Sequence, residues 1–232
     1  MLIAIALCSS CGSAPGNVTV LAAASLTGPF TSLAAAFEAG HPGIEVALSF
    51  ASSATLATQV REGAAADVFA TANQQVMQEI VAEGLASAPQ VFATNRMALI
   101  VEAGNPRAIG GLGDLDEGLI VALCVDAAPC GSFAGQLFAR AGLPVPEAAR
   151  EPNVKAVLTK VALGEADAGI VYQTDPTSAV TVVPLPEAHN ITASYPIAVL
   201  TDAPQAEDAA AFVAFVTSPA GQGIMAEYGF LP

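Results

Sequence analysis

Apolar positions along this chain fall into short continuous runs that alternate with stretches of helical period. Asn17–Ala22 and Ile44–Phe50 read as strands, and the intervening Leu26–Ala39 reads as a helix ended by Gly40, with His41-Pro42-Gly43 as a turn. The same alternation continues with a helix over Thr55–Glu62 stopped by Gly63, a short strand at Asp67–Ala70, and a helix over Asn73–Glu83 stopped by Gly84. Gln90–Phe92 and Met97–Glu102 read as two separate strands. The Gly- and Asp-rich stretch from Gly104 to Gly118 reads as a loop with at most one helical turn. Beyond it come a buried strand at Leu119–Cys124, a helix at Ser132–Ala141 and a rigid connector at Leu143-Pro144-Val145-Pro146. Val154–Leu163 is amphipathic, with Val154, Val157, Leu158 and Val161 on one face. Strands at Ala168–Tyr172, Val180–Val183 and Tyr195–Leu200 precede two closing helices, Ala206–Thr217 and Gly221–Tyr228. Strands alternating with helices predict an α/β fold whose first unit, β-α-β, favours a parallel sheet.

One junction recurs in this pattern. An apolar run ends in small hydroxyl residues and a helix begins, as in Val20-Leu21-Ala22-Ala23-Ala24-Ser25-Leu26 and in Leu48-Ser49-Phe50-Ala51-Ser52-Ser53. An altered form runs from Val121-Ala122-Leu123-Cys124 to Pro129-Cys130-Gly131-Ser132. A helix N-terminus carries unpaired N–H groups and about half a positive charge, so several converging on one cleft would hold an anion without Lys or Arg. In open sheets such junctions lie at the carboxyl ends of parallel strands, where ligands bind. The pattern predicts an oxyanion receptor. Ser25 and Ser53 taken singly read as helix N-caps before they read as ligands, and only their pairing turns them toward a ligand; of the Ser52-Ser53 pair Ser52 reads as the cap and Ser53 as the donor.

Composition narrows the function classes. The chain is 53% hydrophobic and 12% charged, which is globular and not disordered. Its formal charge of −14, from 7 Lys and Arg against 21 Asp and Glu, repels nucleic acid and anionic lipid, so DNA and RNA are not expected partners. That charge does not forbid an anion site, because mean charge is screened beyond about 8–10 Å while site dipoles act at contact. Met1–Leu7 is apolar and leads to Cys8-Ser9-Ser10-Cys11, which resembles the end of a bacterial lipoprotein signal with Cys11 as the acylated residue. Residues 1–16 are therefore expected to be a signal-like segment and tether, and the protein to be extracytoplasmic and lipid-anchored. A frayed terminus and a Cys-x-x-Cys metal half-site are the other readings.

Five segments in register resemble a known family. They are Val20–Leu26, Phe50-Ala51-Ser52-Ser53-Ala54-Thr55-Leu56, Gly63-Ala64-Ala65-Ala66-Asp67-Val68-Phe69-Ala70, Gly169-Ile170-Val171-Tyr172 and Tyr195-Pro196-Ile197-Ala198-Val199-Leu200. In order and spacing they are similar to the periplasmic molybdate-binding proteins of ABC importers, from about Val18 to Phe230. The resemblance implies a type II periplasmic-binding-protein fold: two α/β lobes, here 17–95 plus 196–232 and 96–195, joined by two crossovers near Asn95 and Tyr195. It implies a monomer that binds molybdate or tungstate, has no cofactor, is not an enzyme, and delivers its ligand to a membrane permease. It also implies that the dianion is held by the Ser25 and Ser53 hydroxyls from the first lobe. The second lobe would add the N–H groups of Cys130 and Val154 and the Tyr172 hydroxyl. No residue is expected to bind the metal atom directly.

Cys124 and Cys130 depart from the commoner family pattern. Buried thiols, a redox or metal pair, and a disulfide are all open, and export favours the disulfide. Asn153 reads as an N-cap that leaves the Val154 N–H for the cleft, while Asp67, Asp167 and Asp175 read as turn, cap or hinge groups. His41 and His189 read as surface residues. A hydrolase is the rival from another class, but there is no Gly-x-Ser-x-Gly, and neither His lies near a candidate nucleophile in sequence. A receptor of the same fold for sulfate is the nearer alternative.

Overall fold

The computed structural model describes residues 16–116 and 118–232; Cys11, with its expected lipidation, lies outside them. The chain forms β1 (Gly16–Ala23), α1 (Thr27–Gly40), β2 (Ile44–Ala51), α2 (Ser53–Arg61), β3 (Val68–Ala70), α3 (Gln74–Ala82) and β4 (Ala86–Glu102). It continues through β5 (Val121–Cys124), α4 (Pro129–Ala141), β6 (Ala148–Glu151), α5 (Val154–Ala162), β7 (Ala168–Tyr172), β8 (Val180–Val183) and β9 (Thr192–Leu200). Helices α6 (Ala206–Thr217) and α7 (Pro219–Glu227) close it.

The strands are ordered β2-β1-β3-β9-β4-β7-β5-β6, with β8 also on β4. β1 pairs in parallel with β2 and β3, and β5 pairs in parallel with β6 and β7, so each half of the sheet repeats the same logic. β4 joins the halves. Its first part, from Ala86 to Arg96, pairs antiparallel with β9, and its last part, from Met97 to Glu102, pairs with β7 and β8. The partner switch at Arg96/Met97 is where the chain passes from one half to the other, and β9 carries it back.

Four differences from the sequence reading have physical causes. The two strands expected at Gln90–Phe92 and Met97–Glu102 are one strand, β4, whose exposed Ser87–Val91 stretch breaks the apolar pattern and whose pairing shifts register twice, between Ser87 and Gln90 and between Val91 and Ala93. Strand β6 follows the expected connector, in a stretch to which the pattern assigns no element; Ala-Ala-Arg-Glu has no apolar alternation and is a strand because β5 pairs with it. Helix α4 starts at Pro129 and not at Ser132, since proline fits the first helical turn, where its missing N–H has no acceptor to lose. Helix α7 likewise begins on a proline, Pro219, capped by the Ser218 hydroxyl.

Packing follows from the apolar faces. In the first half Phe30 and Phe37 of α1 meet Phe212 of α6 at ring-centroid distances of 6.2 and 5.3 Å. Each such fully buried ring contributes about 1.5–3 kcal/mol of burial free energy. In the second half α5 buries Val154, Val157, Leu158 and Val161 as its period predicts. It lies close on the sheet because β7 offers Gly169, where a Cβ would stand 2.7 Å from Val157 Cγ1. This close seating sets the height of the α5 N-terminus, and with it the position of the Val154 N–H.

Candidate functional site

The strand–helix junctions converge on one small cavity between the two halves of the sheet. About 10 Å³ of it is open to the centre of a water-sized sphere, and its walls are Ala23, Ala24, Ser25, Ser52, Ser53 and Ala72 from the first half with Pro129, Cys130, Asn153, Val154 and Tyr172 from the second. None of these side chains is charged. All five groups expected from the sequence to face a ligand, Ser25, Ser53, Cys130, Val154 and Tyr172, lie on its wall.

Each junction supplies its polar group in a different way. After β1 the chain makes one 3-10 turn at Ala24–Leu26, in which Ser25 is 4% exposed and caps nothing; its Oγ lies 3.0 Å from the Tyr195 hydroxyl. After β2, Ser52 is the cap of α2, accepting the Thr55 N–H at 3.2 Å, while Ser53 is the first helical residue. The Ser53 Oγ accepts the Ala72 N–H at 3.0 Å, which leaves its own proton free for the cavity. Ser52 is thus the cap that the sequence suggested.

In the second half the donors are backbone groups. Cys124 and Cys130 form a disulfide. It ties the end of β5 to the first turn of α4. There the Ala128 carbonyl accepts from the N–H groups of Gly131 and Ser132, each at 3.0 Å, and the Cys130 N–H precedes any intrahelical acceptor. Only glycine fits at 131, because a Cβ would run into the Val125 carbonyl. At α5 the Asn153 side chain accepts the N–H groups of Lys155 and Ala156 at 3.0 and 3.1 Å, so the Val154 N–H at the first helical position remains for the cavity.

Tyr172 ends β7 and is 1% exposed. Its hydroxyl is buried with no hydrogen-bond partner among the described residues. Such a group costs about 1–3 kcal/mol unless something fills the site. Burial first, and then the neighbouring Tyr195, hold its ionisation well above the usual tyrosine range, so it is a proton donor at any physiological pH. Burial does the same to Tyr195.

The nearest charges are held behind the wall and paired. Asp175 is fully buried; its Oδ2 accepts the Tyr172 N–H at 3.0 Å, and its Oδ1 lies 2.7 Å from the Lys155 ammonium. Burial raises the Asp175 pKa against the opposing pull of Lys155 and the Tyr172 N–H. Asp175 thus ties two wall segments together, the end of β7 and the start of α5. Asp67 does equivalent work far from the cavity, accepting the N–H groups of Thr19 and Gln205 at 2.7 and 2.6 Å. His41 is half-buried, stacked on Phe37 with ring centroids 4.0 Å apart, and His189 is half-buried in a turn; neither lines the cavity.

Sequence reasoning missed Tyr195 and Ala72 as partners of the two serines. Tyr195 stands 170 positions from Ser25, and nothing local to either residue announces the pair. Ala72 acts through its backbone, which leaves no trace in residue type.

The arrangement is a small, uncharged pocket of hydroxyl and N–H donors drawn from both halves, suited to a small anion that spans them. No group of three or more His, Cys, Asp or Glu that could hold a metal ion occurs among the described residues.

The chain is similar to known proteins. A relative from Mycobacterium bovis, the molybdate-binding protein ModA, is 42% identical over 219 residues, covering 92% of this chain and 84% of its own. The periplasmic molybdate-binding protein of Azotobacter vinelandii superposes with a TM-score of 0.80 at 20% identity, over 93% of this chain and 99% of that one. The sulfate-binding protein SubI of Mycobacterium tuberculosis superposes with a TM-score of 0.84 at 19% identity, over 94% of this chain and 87% of that one. At such identities the two superpositions speak for the fold. The family model described as bacterial extracellular solute-binding protein matches residues 18–231, so the chain belongs to that family, whose members are receptors and not enzymes.

Proposed function

We propose that this protein is the extracytoplasmic receptor of a molybdate importer of the ABC type, and that it also takes tungstate. The observation that carries the reading is the wall of the cavity. It brings Ser25, Ser53, Cys130, Val154 and Tyr172 together with no charged side chain, and the buried Tyr172 hydroxyl has no partner. A fully ionised tetrahedral dianion supplies acceptors to every one of these donors. The 42% identity to a protein named for molybdate supports the same ligand.

Size separates molybdate from sulfate in this reading. The two ions carry the same charge, but sulfate has shorter bonds and would leave donors stretched. Each buried donor left unpaired costs about 1–3 kcal/mol, so two such losses give a preference of roughly thirtyfold or more. Tungstate is nearly the same size as molybdate and is not separated this way.

Closure is the signal to the permease. Residues 17–95 plus 196–232 act as one lobe and 96–195 as the other, and an anion touching both favours the closed arrangement. The five groups come from one chain, so a monomer suffices. Attachment through a lipid on Cys11 would hold the receptor near its permease; a Cys11→Ser variant that stays in the membrane fraction would refute that part.

Calorimetric titration with molybdate, tungstate, sulfate and hydrogen phosphate tests the assignment. Tight binding of the first two and weak or no binding of the others is the expected outcome. A preference for sulfate would move the assignment to a sulfate receptor of the same fold.

A further inference from the structure

Lys155 and Asp175 form an ion pair behind the cavity wall, and neither lines the cavity itself. The ammonium lies 2.7 Å from Oδ1 of a carboxylate with no exposed surface, while the lysine side chain keeps 38% of its own. A cation in the first turn of a helix opposes the helix dipole, so Lys155 gains nothing from that place in α5 by itself. Its place is explained by what it holds.

Asp175 in turn holds Tyr172. The Gln173 N–H donates to the Arg96 carbonyl of β4 at 2.7 Å, so the Tyr172 N–H, one residue earlier in the same strand pair, points to the opposite edge of β7. On that edge β5 pairs with β7 only at Ala168 and Gly169, and the Asp175 Oδ2 takes the place of a strand acceptor for Tyr172 at 3.0 Å. The Asp175 N–H returns a bond to the Tyr172 carbonyl at 2.9 Å. One carboxylate therefore grips the residue that carries the cavity hydroxyl and, through Lys155, the neighbour of Val154, whose N–H faces the cavity. Val157 seated on Gly169 fixes the body of α5 against β7, and the ion pair fixes its first turn.

We infer that Lys155 and Asp175 are positioning residues for anion size: the pair holds the Tyr172 hydroxyl and the Val154 N–H at the spacing that molybdate needs. The inference rests on the molybdate-receptor reading above and adds two residues to it. Fixed donors discriminate only while they stay within about 0.5 Å of their places. With the pair broken, the start of α5 and the end of β7 can shift against each other, and the donors then close on a smaller anion almost as readily as on a larger one.

Charge alone predicts something else for Asp175→Asn. Removing a negative group beside the cavity should tighten molybdate and sulfate by the same factor, since both carry two charges. Partial loss of the folded state also moves both alike, because it scales every apparent affinity by the same competent fraction. The ratio of the two affinities is blind to both effects and reads the spacing.

The experiment titrates the parent, Asp175→Asn, Lys155→Met and the double variant with molybdate, with sulfate read by competition against it. Asparagine keeps an oxygen for the Tyr172 N–H and loses the attraction to Lys155. Either single replacement should weaken molybdate about tenfold and sulfate less than about threefold, so the ratio narrows by about threefold or more. The double variant should narrow it no further, because both replacements remove one and the same tie. A ratio unmoved in either single variant, or narrowings that multiply in the double, overturns the inference. Lys155→Met alters a partly exposed side chain and decides the test by itself should Asp175→Asn fail to show a normal melting transition. Failure of the unmodified protein to bind molybdate sinks the receptor reading and this inference with it; intact binding with an unmoved ratio sinks the inference alone.

Discussion

Replacing Tyr172 by Phe separates two effects that most binding-site substitutions confound. The ring packs edge-on against Tyr195 at 5.8 Å and Phe133 at 6.4 Å, and phenylalanine keeps both contacts. The hydroxyl has no partner among the described residues, so removing it breaks no bond in the ligand-free protein. The ligand-free melting temperature should stay level or rise, because a buried unpaired hydroxyl costs about 1–3 kcal/mol. With ligand the sign reverses. A hydrogen bond to a charged acceptor contributes about 1.5–3 kcal/mol, which is a loss of roughly ten- to 150-fold in affinity. At saturating molybdate that loss removes about 3–12 °C of ligand-induced stabilisation, at about 2–4 °C per kcal/mol for a chain of this size. Scanning fluorimetry with and without molybdate, together with a titration, reads both halves. A Tyr172→Phe protein that melts lower without ligand, or that binds molybdate as tightly as the parent, refutes the assignment of this hydroxyl as a donor held in reserve.

Other outcomes follow from the same geometry. Replacing Cys124 and Cys130 by Ser opens a short loop and should cost about 2 kcal/mol of stability by chain entropy, with weaker molybdate binding because the Cys130 N–H loses its tether; unchanged melting and titration curves would contradict this. Gly131→Ala drives a Cβ into the Val125 carbonyl and should destabilise by about 1–3 kcal/mol, seen as a lower denaturant midpoint. Asp167 is opposed by burial, yet the Ile120 N–H at 2.7 Å and Arg107 at 2.9 Å outweigh it and hold its pKa below the usual carboxylate value. A depressed folded pKa stabilises above the unfolded value and is lost as pH falls through the folded one. Asp167→Asn should therefore be less stable than the parent at pH 7, with the gap closing as acid takes the pH below about 4; a gap independent of pH would rule the ion pair out as its source.

Much of this molecule is legible along the chain because its signals are local. The helices from α1 to α6 are visible in apolar period and in their stop signals, and the Ser52 and Asn153 caps in residue type, because a cap needs only its own next turn. The junctions that end in Ser25, Ser53 and Cys130 could be named before any coordinates, since a strand that feeds a helix leaves N–H groups free whatever surrounds it; Val154 follows from the family resemblance and the Asn153 cap. The exposed Ser87–Pro89 stretch of β4 and the short β6 escaped that reading. In both, strand conformation is imposed by hydrogen bonds to a distant partner and not by the pattern of the residues themselves.

The sequence alone therefore determined the kind of chemistry available here, neutral donors at helix starts and no cationic side chain to assist them, because those depend on residue type and local backbone. Only the tertiary structure decided which donors meet in one cavity, that the Tyr172 hydroxyl is left without a partner, and that Tyr195 and the Ala72 N–H stand behind the two serines. Those facts rest on the pairing of β4 with β9 and on the seating of α5 against Gly169, which bring residues far apart in the chain within bonding distance. No local pattern encodes such distances; they are fixed by the packing of the whole.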